Sequence, residues 1–554
     1  WAISWCFLCA FVRNTVICGT LMVRVRWIAV SCRTLMLTRG SMPHTVDEWP
    51  GAGTIRRVND IVHTSISLPP PLDVIVDTVE FQRLRNVKQL GAAHHVFPSG
   101  NHSRFTHSLG TCHIAQLVLE RLSKDRQLGV TAEDCICVAI AALCHDIGHG
   151  PYSHMYDGSF MEQLGVGGQW THEAGSKAIL RRVFEYPRVA AVLRAHLGGS
   201  DEQRYRRNLE FIIELISPPE HMLGLDGAWV PKGRPIDKSF LYDIVSNVHD
   251  GFDVDKFDYV LRDSLLAGFG IRFSKESLLR VVHNIRVLPC PRLGIARICF
   301  AGKTADELLS LADSRHVLHA RVYQHKTVGL IEAMIVKAFV AAEQHVQFRN
   351  KKGERFSLST MHADLDVFCS VDDSILQIIS TSDQPGLERA KAYLRAISER
   401  RLARRVAYVE CSPNQEGLKD ISKDRNRVSK SLQKKLVEVG RAYGVIDDDV
   451  YVISRRIYSG LDGYRHPMSE VLVYDNKEER PVARRLDQDW LDLRASQHTT
   501  IVSFALYLSR DLEEKTIDCL RAKFESSLSE YGIKVNRSNE GPSPKRKKIN
   551  ENNN

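Results

Sequence analysis

The stretch from Thr131 to His154 constrains the fold of this chain more than any other. Thr131 opens a segment whose apolar residues, Cys135 to Leu143, recur at helical spacing, with Glu133 and Asp134 in its first turn. Gly148, Gly150 and Pro151 stop that helix just after a His145-Asp146 doublet. Any fold built on it must carry an imidazole and a carboxylate side by side at the end of an otherwise apolar element. Such a pair offers a divalent metal two unlike ligands. Nine of the 22 histidines lie between His94 and His172, so further donors are close in sequence.

Arg104-Phe-Thr-His107 opens another helical segment, which lets His107 project from one helix and His145-Asp146 from the next. An acidic run, Asp253, Asp255 and Asp258, follows downstream. Within it, positions 255, 259 and 263 recur every four residues and share a helical face, so Asp255 can bind metal while Tyr259 and Asp263 reach substrate. Two histidines and two aspartates leave coordination positions open for water or a phosphate oxygen, the requirement of a hydrolytic metal centre. Oxygen and nitrogen donors suit zinc, iron, manganese or magnesium. His149 is expected one helical turn beyond His145, and His172, in Trp170-Thr-His-Glu173, at the start of a further helix. Both are expected to line the same cleft, where an imidazole can exchange a proton at cellular pH. A lone histidine is more often packed or merely exposed; the surrounding constellation reverses that preference for the doublet.

The 554 residues, 44% hydrophobic, can bury a large core and form more than one unit. From 49 to 398 the pattern is mainly helical, as in Ile114 to Leu122 and Val328 to Ala342. Ser217 to Pro235 reads as a long surface loop bordering the site. From 399 to 535 the texture turns to β-branched and aromatic runs, Val406 to Val409, Val450 to Ile453, Val471 to Tyr474 and Ile501 to Leu508, before an amphipathic helix at Leu512 to Leu528. The expected fold is therefore a mainly α core with a smaller α+β C-terminal lobe. Residues 536–554 read as a disordered tail, and Pro542-Ser-Pro-Lys-Arg-Lys-Lys548 suits nuclear import or nucleic-acid contact, with the cytoplasm as a second compartment. Residues 1–48, which open on Trp1 rather than Met, read as a fragment or mistranslated leader with Met42 an alternative start, and Arg13 interrupts the apolar run that a membrane span needs. The net charge of +9 favours anionic ligands. Thirteen cysteines without paired spacing, among them Cys112, Cys135, Cys137 and Cys144, fit core packing in a reducing compartment.

His107, His145-Asp146 and Asp255, in that order, resemble the H…HD…D signature of the HD-domain metal phosphohydrolases. Longer runs, Asp77 to Gly91, Val96 to Pro98, Leu143 to His154, Lys238 to Tyr242 and Tyr323 to Lys326, resemble the animal SAM-and-HD-domain deoxynucleoside triphosphate triphosphohydrolases. That similarity runs from about Arg56 to Gln344, with no recognisable SAM domain ahead of it. The resemblance implies an HD-type helical core and hydrolysis of a dNTP, dGTP included, to a deoxynucleoside and intact triphosphate. By position it makes His172 the acid, assisted and oriented by His149 and Asp157. It assigns Arg104, His154, Lys256 and Arg315 to phosphate, Gln89, Leu90, Tyr259 and Asp263 to the sugar, and Tyr323 and Gln324 to the sugar and base.

The resemblance also implies activation by GTP or a dNTP between subunits of a homotetramer. Asp77, Gln82 and Arg85 match guanine-reading positions, and Lys303, His325 and Lys326 match phosphate contacts. The fit there is incomplete: Ala301 stands where the family has an arginine, Arg56 replaces a lysine, and an arginine near Lys275 to Ser277 has no clear match. Two rival readings stay open. One is an HD nucleotide phosphodiesterase, disfavoured by Gln89-Leu90 and Tyr259-Asp263. The other is a single-stranded nucleic-acid binder with a vestigial HD site, disfavoured by the presence of all four ligands.

Overall fold

A computed structural model describes residues 55–411, 417–458, 465–495, 500–534 and the short strand Asn536–Arg537. The N-terminal segment with Met42, and the basic cluster at Lys545 to Lys548, lie outside the described residues. Eight longer helices build the core: α1 (Arg104–Ser123), α2 (Ala132–Cys144), α3 (His172–Phe184), α4 (Glu202–Ile216), α5 (Val254–Ala267), α6 (Ala305–Leu318), α7 (Lys326–Ala342) and α8 (Glu388–Ser398). The mainly α, HD-type fold expected from the sequence is the fold observed. Among the described residues no helix is long and apolar enough to cross a membrane.

Local chemistry fixes where these helices begin. Thr131 and Asp134 form a reciprocal capping box at α2, the Thr131 hydroxyl accepting from the Asp134 amide at 3.1 Å and the Asp134 carboxylate from the Thr131 amide at 2.9 Å. Thr171 caps α3 and Asp253 caps α5, each accepting from the amide three residues on. Every residue of α2 from Asp134 to Cys144 is buried, which explains its continuous apolar texture. It packs between α1 and α4, and α1 packs in turn on α5. The loop at 217–235 carries no helix or strand, yet it is tethered: Arg234 donates to Asp134 at 2.6 Å and to Asn208 at 2.7 Å.

Strands frame this core. β1 (Arg56–Asp60) and β2 (Thr64–Leu68) form a hairpin, and β3 (Ile285–Pro289) pairs antiparallel with β4 (Ala296–Ala301). In the C-terminal lobe β5 (Arg404–Glu410), β6 (Val450–Tyr458), β7 (Leu472–Tyr474), β8 (Arg484–Arg485), β9 (Thr500–Leu508) and β10 (Asn536–Arg537) follow. The sheet order is β10-β5-β9-β6, all antiparallel, with Phe504 opposite both Val409 and Ser454. Two helices, α9 (Leu418–Gly440) and α10 (Glu514–Glu530), cover one face through Leu432, Leu436, Leu520 and Phe524.

Two readings need correction. The run Val471 to Tyr474 is extended as expected but does not join the lobe's sheet: β7 pairs parallel with β4, Phe300 opposite Val473, in the order β8-β7-β4-β3. Tyr474 anchors it by donating to the Asn284 carbonyl at 3.0 Å, a partner 190 residues away that local texture cannot reveal. Likewise His149 is not a helical turn beyond His145. Helix α2 ends at Cys144, and residues 145–148 are a turn that carries His149 inward by a different route.

Candidate metal centre and substrate cavity

His107 comes from the first turn of α1, His145-Asp146 from the end of α2 and Asp255 from the first turn of α5. The three helix ends converge on one point. His107 Nε2 lies 3.3 Å from His145 Nε2, 3.0 Å from an Asp255 oxygen and 3.6 Å from an Asp146 oxygen. His145 Nε2 lies 3.4 Å from Asp255 and 3.5 Å from Asp146. A divalent ion about 2.1 Å from each donor sets neighbouring donors roughly 3.0 to 3.4 Å apart. His107, His145 and Asp146 are close enough together to hold one ion, and Asp255 stands beside the two imidazoles.

The groups behind the donors fit it too. His107 Nδ1 donates to Asp258 at 2.8 Å, and His145 Nδ1 donates to the Ala142 carbonyl at 2.9 Å, which turns both Nε2 lone pairs toward the shared point. Asp258 is fully buried and also accepts from His63 at 2.6 Å and from Arg262 at 2.8 and 3.0 Å, while Arg262 continues to Asp60 at 2.8 Å. Burial opposes charge on Asp258, but Arg262 and the two histidines outweigh it and hold its carboxyl well below the usual range. Burial also opposes charge on His107; its hydrogen bonds to Asp255 and Asp258 prevail and raise it to about 10. Gly110 makes the approach of α5 to α1 feasible, since a Cβ there would sit 1.9 Å from an Asp258 oxygen.

The turn after the doublet is clamped to α3. Gly148 donates to Ser176 Oγ at 2.9 Å, Ser176 donates to the His145 carbonyl at 2.6 Å, and a Gly148 Cβ would lie 2.3 Å from the His172 carbonyl. This close packing brings His172 beside the metal centre. Its Nδ1 bonds Asp157 at 3.0 Å, and its ring stacks on His149 with centroids 4.0 Å apart and planes at 12°. Burial works against charge on His172, but the Asp157 hydrogen bond and nearby carboxylates raise its pKa. Burial, Arg104 and His172 together push His149 well down. The environments of the two stacked imidazoles therefore push their pKa values apart, His172 up and His149 down. His149, His154, Asp157 and His172 also lie close enough to hold a cation, although the His172-Asp157 bond suits proton transfer better.

These groups open on a cavity of about 720 Å³. Its wall includes Gln89, Leu90, Arg104, His145, Asp146, His149, His154, His172, Asp255, Lys256, Tyr259, Asp263, Arg315, Tyr323 and Gln324. His107 lies buried beneath the wall, and Asp157 stands behind His172. Arg104 makes a very short contact to Asp146 and donates to Ser153 at 2.8 Å; Lys256 pairs with Asp253 at 2.9 Å; Arg315 donates to Tyr259 at 2.8 Å. Tyr323 donates to Asp263 at 2.6 Å, whose other oxygen bonds His102 at 2.8 Å. The residues expected at catalytic, metal and substrate positions thus meet in one place.

The activator positions do not close on one another in the single chain. Arg56 and Asp77 make a two-pronged pair at 2.8 and 2.7 Å, and Arg85 donates to Gln82 at 2.7 Å, on an exposed face. Lys303 and Lys326 are exposed and His325 half-buried, and no hydrogen bond, ion pair or ring contact among the described residues links them to Asp77, Gln82 or Arg85. Sequence reasoning missed His63, Asp60 and Arg262 behind the metal ligands, and missed Arg456 and Tyr458 in the cavity wall. Asp258 was noted for its charge but acts one step behind the ligands.

Residues 104–228 match the HD domain family. The chain carries an HD domain. This HD chain is 38% identical over 375 residues to the deoxynucleoside triphosphate triphosphohydrolase SAMHD1 of Danio rerio, a match covering 67% of the chain and 59% of that relative. It is 37% identical to the Homo sapiens SAMHD1, over 64% of the chain and 55% of the relative, and 35% identical to that of Mus musculus, over 77% and 64%. The matched part of the HD chain thus spans between about half and two thirds of the length of these curated relatives.

Proposed function

We propose that the chain is a metal-dependent triphosphohydrolase that converts a dNTP, dGTP included, into a deoxynucleoside and inorganic triphosphate. The observation that carries this reading is that the cavity wall brings His145, Asp146 and Asp255, with His107 beneath them, together with His172, backed by Asp157. The names of the relatives support the substrate class. A divalent cation held by the four donors would supply Lewis-acid polarisation and offset the charge that builds as the phosphoester breaks.

The chain's own residues do the rest. Arg104, Lys256 and Arg315 bind the phosphates, with His154 at the rim. His172, charged and steered by Asp157, gives its proton to the leaving 5′ oxygen. His149, neutral and stacked beneath, holds that ring in place. Gln89 lines the cavity with a buried, unpartnered Oε1 that suits a sugar hydroxyl, while Tyr259 and the Tyr323-Asp263 pair narrow the space beside the ribose. Incubating the purified chain with dGTP and Mg²⁺ or Mn²⁺, alongside Asp146→Ala, tests the reading. Intact triphosphate plus deoxyguanosine, lost in the variant, is expected; orthophosphate or pyrophosphate would refute it, and salt-sensitive RNA binding without turnover would favour the binder instead.

Activation by GTP or dNTP in a homotetramer is part of the proposal, supported by the Asp77, Gln82 and Arg85 face and weakened by Ala301. A chain that stays monomeric and fully active with nucleotide present would sink it. Nuclear import through Lys545 to Lys548 is proposed on sequence alone, and a tagged chain that stays cytoplasmic would refute it.

A further inference from the structure

The C-terminal lobe reaches the catalytic cavity through consecutive arginines in the middle of β6. Neighbouring strand residues face opposite ways, and Arg456 lines the catalytic cavity while Arg455 lines an adjoining one of about 690 Å³. We infer that Arg456 binds the terminal phosphates of the substrate's polyphosphate tail, making the lobe part of the substrate site. This inference rests on the triphosphohydrolase reading above.

Charge bookkeeping inside the cavity leads there. Arg104 and Lys256, phosphate ligands in the reading above, each already balance one carboxylate, Asp146 and Asp253, so they leave much of the tail's charge to be met elsewhere. Among the described residues, no carboxylate lies within ion-pair distance of Arg315 or Arg456. These two guanidiniums sit at one place. Arg315 donates to the Tyr458 carbonyl at 3.2 Å and lies 5.2 Å from the centre of its ring, while Arg456 lies 4.7 Å from the same ring. Arg456 Nε is buried and has no hydrogen-bond partner among the described residues. A half-buried guanidinium without a carboxylate partner, stacked on a ring and lining a cavity, suits an anion. A nucleoside triphosphate carries about four negative charges, about two of them on its terminal phosphate, and two oxygens of that phosphate can accept from a guanidinium fork.

The lobe is held in register for this role. Asn426 of α9 donates to Glu162 at 2.6 Å, Lys430 donates to the Glu162 carbonyl at 2.5 Å, and Ser454 of β6 donates to Asn426 at 3.3 Å. Arg456 therefore approaches the cavity on a strand pinned to the helical core, two residues from the Tyr458 carbonyl that steers Arg315.

Calorimetric titration of the full chain with inorganic tripolyphosphate, and separately with deoxyguanosine, tests the assignment in wild type, Arg456→Gln and Arg456→Lys. Arg456→Gln is expected to weaken tripolyphosphate binding about tenfold or more and to raise the dGTP KM similarly, with kcat changed little and deoxyguanosine affinity unchanged. Arg456→Lys, which keeps the charge but loses the fork, is expected to fall between. Equal tripolyphosphate affinity in wild type and Arg456→Gln, no tripolyphosphate binding by wild type, or equal loss of deoxyguanosine affinity would each overturn it. Tripolyphosphate binding that depends on Arg456, in a chain that makes no triphosphate from dGTP, would uphold the residue and overturn the reaction.

Discussion

The metal centre and the Asp77 face are both clusters of charged side chains, yet they are built in opposite ways. At the centre, the rear nitrogens of both histidines are satisfied, His145 by the Ala142 carbonyl and His107 by Asp258, which is held in turn by Arg262 and His63, and Arg262 by Asp60. Its geometry is fixed before any ligand arrives. On the Asp77 face, Arg56 and Asp77 satisfy each other in the open, and Arg85 turns to Gln82 and lies 3.6 Å from the Phe105 ring centre. A nucleotide base would have to displace those contacts. The first cluster is preorganised by its core, whereas the second is closed by contacts between its own exposed side chains.

Asp258→Ala should break this contrast most sharply. It leaves Arg262 and His63 buried without their carboxylate, so a loss of about 3 to 5 kcal/mol in stability, read by thermal or urea unfolding, is expected together with loss of activity. Asp146→Ala removes a ligand but leaves that network whole, so activity should fall by about three orders of magnitude or more. Stability should fall less than in Asp258→Ala, because one buried partner, Arg104, loses its carboxylate rather than Arg262 and His63 together. Chelation followed by metal addition should abolish and restore turnover in wild type alone. If Asp258→Ala proves as stable as wild type, preorganisation from behind is the wrong account of the centre.

The two regions also differ in how much of them the sequence disclosed. His107, His145, Asp146 and Asp255 were legible because helix caps and spacing set both their order and their direction. The helical core and the strands at Arg404–Glu410, Val450–Tyr458 and Thr500–Leu508 were legible for the same reason, since periodicity is a local signal. His63 and Asp60 were not, because they reach Asp258 and Arg262 across about 200 residues from a hairpin of ordinary texture. The pairing of β7 with β4 was hidden for the same cause. Arg456 lies beyond the apolar run that marks its strand and carries no local signal; only the docking of the lobe brings it to a cavity.

The His172-Asp157 pair supplies a test that leaves the fold alone. His172 must be charged to donate its proton, so the rate should fall as pH rises through its pKa. Asp157 raises that pKa against the opposing effect of burial. Asp157→Asn removes the charge but keeps an acceptor, so the descending limb should move to lower pH, with the rate at neutral pH cut about 10- to 100-fold. An unmoved limb would mean that another group is the acid.

The smallest effect is expected on the exposed face. Arg56→Ala severs a pair whose side chains are 39% and 33% exposed, and such pairs contribute about 0 to 1 kcal/mol, so the unfolding midpoint should barely change. The dGTPase rate at saturating activator should hold as well, because no atom of Arg56 approaches the cavity wall. What should move is the GTP concentration needed for half-activation, since the freed Asp77 then faces a base without its present partner. A fall in the saturating rate without any shift in GTP dependence would tie this face to the catalytic core, and would erase the distinction between a cluster preorganised by its core and one closed by its own exposed side chains.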